Sequence, residues 1–110
     1  MRMMLIKGRL PGLLRSLSLS RPNSEVMVTV SKVNYLSPDT IESDVFHLNH
    51  PDLPLKPFFP NDAGFFEGCT ACEATKVDGE MFIVTVVAED KKDAKMIAIH
   101  VISFIAELAQ

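Results

Sequence analysis

Residues 70–108 read TACEATKVDGEMFIVTVVAEDKKDAKMIAIHVISFIAEL, and this stretch decides the fold. Two runs of β-forming residues flank Asp78-Gly79, a pair that tolerates positive φ and therefore suits a two-residue type I′ turn. In the resulting hairpin Val77 faces Glu80. The second run, MFIVTVVA, is apolar at nearly every position, which predicts a strand inside the sheet with a layer or a loop on each face.

A long C-terminal helix follows the hairpin and completes the unit formed by residues 70–110. Asp90 is a suitable N-cap, and Asp93 adds negative charge near the positive end of the helix dipole. Apolar residues at helical spacing form the predicted core stripe: Ala94, Ile97, Ala98, Val101, Ile105 and Leu108. Because Ile99 and Phe104 widen this stripe, we expect the helix to pack on the sheet and to contact something else on its flank.

Upstream segments complete the predicted sheet. Residues 25–36 form an alternating, β-branched run, residues 37–39 supply turn chemistry, and residues 40–48 can return as another strand. With 110 residues, of which 47% are hydrophobic, the chain is large enough to bury one core. We therefore predict a single α+β domain over residues 1–110, in which an antiparallel sheet of four or five strands carries the long C-terminal helix on one face.

The sequence of residues 1–24 is compatible with more than one secondary structure and with two cellular locations. Residues 3–10 could form a strand, or residues 10–17 could make a short amphipathic helical turn with Pro11 at its start. A segment rich in Arg, Leu and Ser and free of acid also has the composition of an organellar transit peptide. With only two cysteines, however, the chain lacks a disulfide framework of the secreted type, so the cytoplasm is the expected compartment. No apolar run is long enough to cross a bilayer.

Charge is distributed unevenly along the chain. Residues 1–24 hold five basic side chains and no acid, whereas the rest of the chain holds all 14 acids. This basic arm, residues 1–24, could bind nucleic-acid phosphates through Arg9, Arg15 and Arg21. Alternatively, its basic side chains could pair with acids in the body of the protein, residues 25–110. The second interpretation requires no partner, and we favour it.

Prolines recur at every third position of residues 51–60, PDLPLKPFFP. This spacing is the period of a polyproline II helix, so we predict a stiff, extended connector. The alternative is a PxxP ligand for an SH3-like groove, with Lys56 as the flanking charge.

Four phenylalanines bracket the turn that follows this connector. They are Phe58, Phe59, Phe65 and Phe66. Their number predicts burial against the sheet or against a partner. We expect this region to be the protein-binding surface of a small non-enzymatic adaptor or inhibitor that could form a homo-oligomer.

One set of residues has the composition of a metal site. His47 and His50, followed by Cys69 and Cys72, offer two imidazoles and two thiolates, which suit a tetrahedral zinc. Such a site would make the protein a zinc-stabilised nucleic-acid-binding module. Residues three apart in a strand point to opposite faces, which favours packing cysteines and loop histidines instead. A redox role for the cysteine pair is weaker, because such a pair usually opens a helix.

No recognised catalytic set is present in the sequence. It contains no nucleophile elbow, no phosphate-cradling glycine loop and no HExxH motif. We therefore predict no catalytic residue, no cofactor other than the alternative zinc, and no small-molecule substrate. A small enzyme of unknown class is the third hypothesis.

Overall fold

The structure is a computed structural model that describes residues 3–22, 25–33, 41–55 and 69–108. Its elements are α1 (Met3–Ser18), β1 (Met27–Val33), β2 (Ile41–His47), β3 (His50–Leu55), β4 (Ala71–Val77), β5 (Glu80–Val87) and α2 (Lys91–Leu108). All strand pairs are antiparallel, and the five strands form one sheet in the order β3-β2-β1-β5-β4. The predicted α+β class, with the C-terminal helix packed on the sheet, is confirmed.

The β4-β5 hairpin has the predicted turn. Asp78 has φ 51° and Gly79 has φ 81°, and Val77 pairs with Glu80. Strand β5 lies between β1 and β4, as its apolar sequence predicts. Its buried side chains are Phe82, Ile83, Val84, Thr85 and Val86.

Helix α2 begins at the predicted N-cap. Asp90 Oδ1 accepts hydrogen bonds from the backbone N–H groups of Lys92 at 2.9 Å and Asp93 at 3.4 Å, and the Asp90 carbonyl accepts from Ala94 at 2.9 Å. The two bonds to Oδ1 satisfy donors that have no partner within the first turn of a helix, and the bond from Ala94 is the first regular bond of the helix. The buried side chains of α2 are Ala94, Ile97, Ala98, Val101 and Ile105, and Leu108 packs against them in a partly buried position.

The N-terminal segment is a continuous helix of 16 residues, so the strand prediction is wrong and the predicted helical turn over residues 10–17 is part of a longer helix. Residues 3–10 are not a strand, and the helix does not begin at Pro11 but contains it. Proline removes one backbone hydrogen bond from a helix interior, so the packing of the apolar side has to offset that cost. The fully buried side chains Ile6, Leu10 and Leu14 recur at helical spacing and provide this packing.

The first half of residues 51–60, the predicted proline-rich connector, lies in strand β3 instead. His50–Leu55 pairs with β2, with an irregularity in the register between Val45 and His47. Prolines are tolerated in a sheet on an edge strand, and β3 is an edge of this sheet. Residues 56–60 lie outside the described residues.

Both helices pack on one face of the sheet. Helix α1 contacts β2 and β3, α2 contacts β4 and β5, and the helices contact each other. Val28 of β1 pairs with Val86 of β5, and both side chains belong to the single buried cluster that also contains residues of the two helices. Neither described helix is long and apolar enough to cross a membrane.

Candidate functional site

The four phenylalanines predicted as a binding surface, Phe58, Phe59, Phe65 and Phe66, lie outside the described residues. The described parts of the chain locate only the ends of the segment that carries them. This segment joins β3 to β4, which are the two opposite edges of the sheet. Their role at an interface therefore stays a prediction.

The predicted zinc ligands are separated by the strand order. His47 of β2 pairs with Met27 of β1, which pairs with Val87 of β5. The backbone N–H of Thr70, between the two cysteines, donates to the carbonyl of Val86 on the far side of β5. Three strand spacings, or about 14 Å, therefore separate the backbone at these two points.

Within the described residues, no three His, Cys, Asp or Glu side chains come together in a way that could hold a metal ion. The side chain of His50 lies outside those residues. The four-ligand site stays a prediction that metal analysis of the purified protein can test.

The two cysteines lie together at the start of the edge strand β4. Cys69 is half-buried and Cys72 is exposed. Partial burial raises the pKa of the Cys72 thiol above its usual value, and the proximity of Cys69 and of Glu73 raises this pKa further. Cys72 therefore carries less thiolate at neutral pH than an ordinary exposed cysteine.

Thr70 holds the chain between the two cysteines against β5. Its backbone N–H donates to the carbonyl of Val86 at 2.8 Å. Its Oγ1 donates to the carbonyl of Ala88 at 2.8 Å and accepts from the N–H of Ala88 at 3.0 Å. The threonine hydroxyl thus takes the place of a backbone pair where the chain bends into β4.

Two basic side chains of the N-terminal segment pair with acids of the body. Arg21 donates from Nε and Nη2 to the carboxylate of Asp93, and Lys7 Nζ lies 3.3 Å from Asp44 Oδ1. The hydrogen bond from Arg21 lowers the pKa of Asp93. These pairs fit the interpretation in which the arm satisfies the charge of its own body. Among the other predicted phosphate ligands, Arg9 and Arg15 are exposed on α1.

Apolar side chains are exposed on the outer side of α2. Met96 is 49% exposed and Ile99 is 44% exposed, and they lie one helical turn apart. We call these two residues the α2 flank. Arg21 Nη2 lies 3.9 Å from Met96 Sδ, so a charged group borders the flank. The width of the apolar stripe in the sequence already indicated such a surface.

A second apolar pair lies on the sheet face opposite to the helices. Met27 of β1 and Val87 of β5 are register partners and are 37% and 46% exposed. Sequence reasoning missed this pair, because it could not determine that β1 and β5 are neighbours.

The architecture is that of a small α+β domain. Two helices pack against one face of its antiparallel sheet. Comparison with protein-family models, with curated proteins and with solved structures finds no match to the chain.

Proposed function

We propose that this protein is a small non-enzymatic binding protein, an adaptor or inhibitor, that associates with a protein partner or with a second copy of itself through an apolar surface. The exposure of the α2 flank is the observation that carries the proposal. A helix that already packs on a sheet and on another helix presents Met96 and Ile99 side by side to solvent.

Adjacency is what distinguishes the flank from ordinary exposed apolar residues. Single exposed hydrophobic side chains are normal on protein surfaces, whereas neighbouring ones with a polar border are typical of binding sites. Arg21 and the exposed Lys95 provide such a border. Methionine also adapts its shape to a partner, because its side chain is unbranched and flexible.

The proposal is tested by measuring the mass of the native protein in solution and comparing it with the Met96→Glu, Ile99→Glu double variant. If the protein self-associates, the double variant should weaken the association by about tenfold or more, since one desolvated charge in an apolar contact costs more than 1 kcal/mol. If the unaltered protein is monomeric, the double variant should instead lose binding to its protein partner. Neither substitution should lower the melting temperature by more than a few degrees, because Met96 and Ile99 are both exposed.

Met4→Glu is the matched control. Met4 is an apolar surface residue of α1 that is 78% exposed. It lies in the first turn of α1, whereas Arg21, which borders the α2 flank, follows the last turn. The control should associate like the unaltered protein. Equal losses in both variants, or no loss in either, would argue against the α2 flank as the binding surface.

The four phenylalanines add a second predicted contact region to the same function. Replacing Phe58 and Phe65 with serine should weaken association more than it lowers the melting temperature. If melting collapses instead, these rings belong to the core and this part of the interface hypothesis fails.

Exposure of Arg9 and Arg15 supports the nucleic-acid alternative, whereas the engagement of Arg21 by Asp93 weakens it. Salt-dependent retention on RNA or DNA that disappears when Arg9 and Arg15 are neutralised would favour it over protein binding. One bound zinc per chain, lost when Cys69 and Cys72 become serine, would favour the zinc-stabilised form.

A cytoplasmic location is part of the proposal. Helix α1 contributes Ile6, Leu10 and Leu14 to the core, so cleavage after residue 24 would remove three fully buried side chains. This packing supports a segment that belongs to the domain rather than a transit peptide. Fractionation of cells that express the tagged full chain would test the location.

A further inference from the structure

Helix α1 exposes an apolar side chain near each of its ends. Met4 lies in the first turn and is 78% exposed, and Leu19 follows the last turn and is 84% exposed. The backbone N–H of Leu19 donates to the carbonyl of Ser16 at 3.4 Å, which links it to the end of the helix. At 1.5 Å per residue, Met4 and Leu19 are about 22 Å apart along the helix axis. Because the other side of α1 is buried in the core, the helix offers two apolar contact points on its outer side.

The outer side of α1 between these two points is low and basic. Gly8 and Gly12 are exposed and follow Met4 at i, i+4 spacing, so the three residues form one row. Since glycine has no side chain, another surface can approach the helix backbone along this row. The exposed Arg9 and Arg15 flank the row on its two sides.

Charge is segregated so that this side of the protein differs from the rest. The whole chain has a net charge of −3, yet its first 24 residues contain no acid. The acids that pair with this segment contact Lys7 and Arg21, which are Asp44 and Asp93 respectively. A protein of net negative charge is repelled as a whole by an anionic surface, so a basic side determines the orientation in which it can approach one.

From this arrangement we propose that the outer side of α1 docks on an anionic lipid surface. Such a surface matches both features: the aliphatic side chains of Met4 and Leu19 insert at the boundary between head groups and acyl chains, and the guanidinium groups pair with the anionic head groups. Nucleic-acid phosphates would engage the arginines but would leave the two aliphatic side chains in water. The proposal does not rest on the α2 flank, which belongs to the other helix.

The test measures flotation of the purified full chain with vesicles of phosphatidylcholine, either alone or mixed with phosphatidylserine. The protein should float with the mixed vesicles and not with phosphatidylcholine alone. Added salt should release it, because salt screens the attraction between exposed charges. Equal flotation with both kinds of vesicle, or flotation with neither, would overturn the proposal.

The Met4→Gln, Leu19→Gln double variant removes the apolar contact points and keeps the net charge. Vesicle binding should fall by about tenfold or more, because each aliphatic side chain that leaves water contributes at least about that much to binding. The melting temperature should change little, since both residues are exposed. Met96→Gln, Ile99→Gln makes the same kind of change on the α2 flank and is the matched control. It should leave vesicle binding unchanged, whatever it does to protein association.

The arginines are tested separately from the apolar residues. Arg9→Gln, Arg15→Gln should weaken vesicle binding by about fivefold for each charge removed, and Arg9→Lys, Arg15→Lys, which keeps the charge, should bind like the unaltered protein. Full binding by the Met4→Gln, Leu19→Gln variant would contradict the proposal. So would salt-sensitive retention on RNA without vesicle binding, or a native mass that falls in this variant, which would show that α1 contacts a second copy of the chain.

Discussion

Arg21 Nε lies 2.9 Å from one carboxylate oxygen of Asp93 and 2.8 Å from the other, and Arg21 Nη2 lies 2.6 Å from the first of these oxygens. The two residues are 72 positions apart in the chain. Arg21 follows α1 and Asp93 lies in the first turn of α2, so this ion pair joins the two helices that pack on the sheet. Arg21 also donates from Nη1 to the carbonyl of Leu17 at 2.8 Å, which orients its guanidinium.

Arg21→Ala should lower the free energy of unfolding by about 1–2 kcal/mol, because a bidentate, partly buried and charge-assisted pair exceeds the usual worth of a surface ion pair. The side chain of Arg21 is only 13% exposed and that of Asp93 26%. Urea unfolding at neutral pH measures the change. Lys7→Ala, which removes the pair with Asp44 on a side chain that is 60% exposed, is the matched control and should cost less than about 0.5 kcal/mol. Equal effects would show that the geometry of the Arg21 pair contributes nothing.

The same pair predicts a pH dependence. The hydrogen bond from Arg21 lowers the pKa of Asp93 in the folded protein, so the unfolded chain binds more protons at acidic pH. The contribution of the pair is fully present above about pH 4, the range in which an unfolded Asp is ionised, and is lost as the pH falls through the lower folded pKa. The stability gap between the unaltered protein and Arg21→Ala should therefore shrink below about pH 4. A gap that stays constant or widens in acid would contradict this assignment.

Thr70→Val should cost about 1–2 kcal/mol, because it preserves shape while leaving both backbone groups of Ala88 without the hydroxyl that pairs with them. Thermal unfolding measures the cost, and faster hydrogen exchange of the Ala88 amide localises it. Thr75→Val, a similar change at a half-buried position of β4, serves as control and should change stability by less than about 0.5 kcal/mol. If the Ala88 amide stays protected, the Thr70 hydroxyl does not close this end of the sheet.

Gly79→Ala should destabilise the hairpin by about 1 kcal/mol, because Gly79 has φ 81° and an L side chain is strained there. An added Cβ would meet no atom of a more distant residue within 4 Å, so the cost is strain in the local backbone and not a clash with packed neighbours. The same substitution at Gly8, in the interior of α1, also meets no atom within 4 Å and should instead stabilise the protein by about 0.5–1 kcal/mol. Urea unfolding of both variants would reveal opposite signs, and a shared sign would refute the argument.

The elements that the sequence predicted correctly are those whose signals are local. The turn at Asp78-Gly79 depends on the φ values that two adjacent residues tolerate, and the start of α2 depends on bonds between Asp90 and the next few backbone groups. Strands β1 and β2 also follow from alternation within short segments. Of the predicted site residues, the sequence could pair Cys69 with Cys72 by spacing alone, but it could not show that the chain bends at Thr70.

What the sequence determined by itself was thus the hairpin, the capped C-terminal helix and the antiparallel α+β class, since each depends on residues within one or two turns of each other. Only the tertiary structure decided that α1 continues through Pro11, that the prolines of β3 lie at a sheet edge, and that β1 lies beside β5. The same holds for the pairing of Arg21 with Asp93. The physical reason is that these features are stabilised by burial and charge pairing between distant parts of the chain, and such energies cannot be assigned until strand order and packing are known.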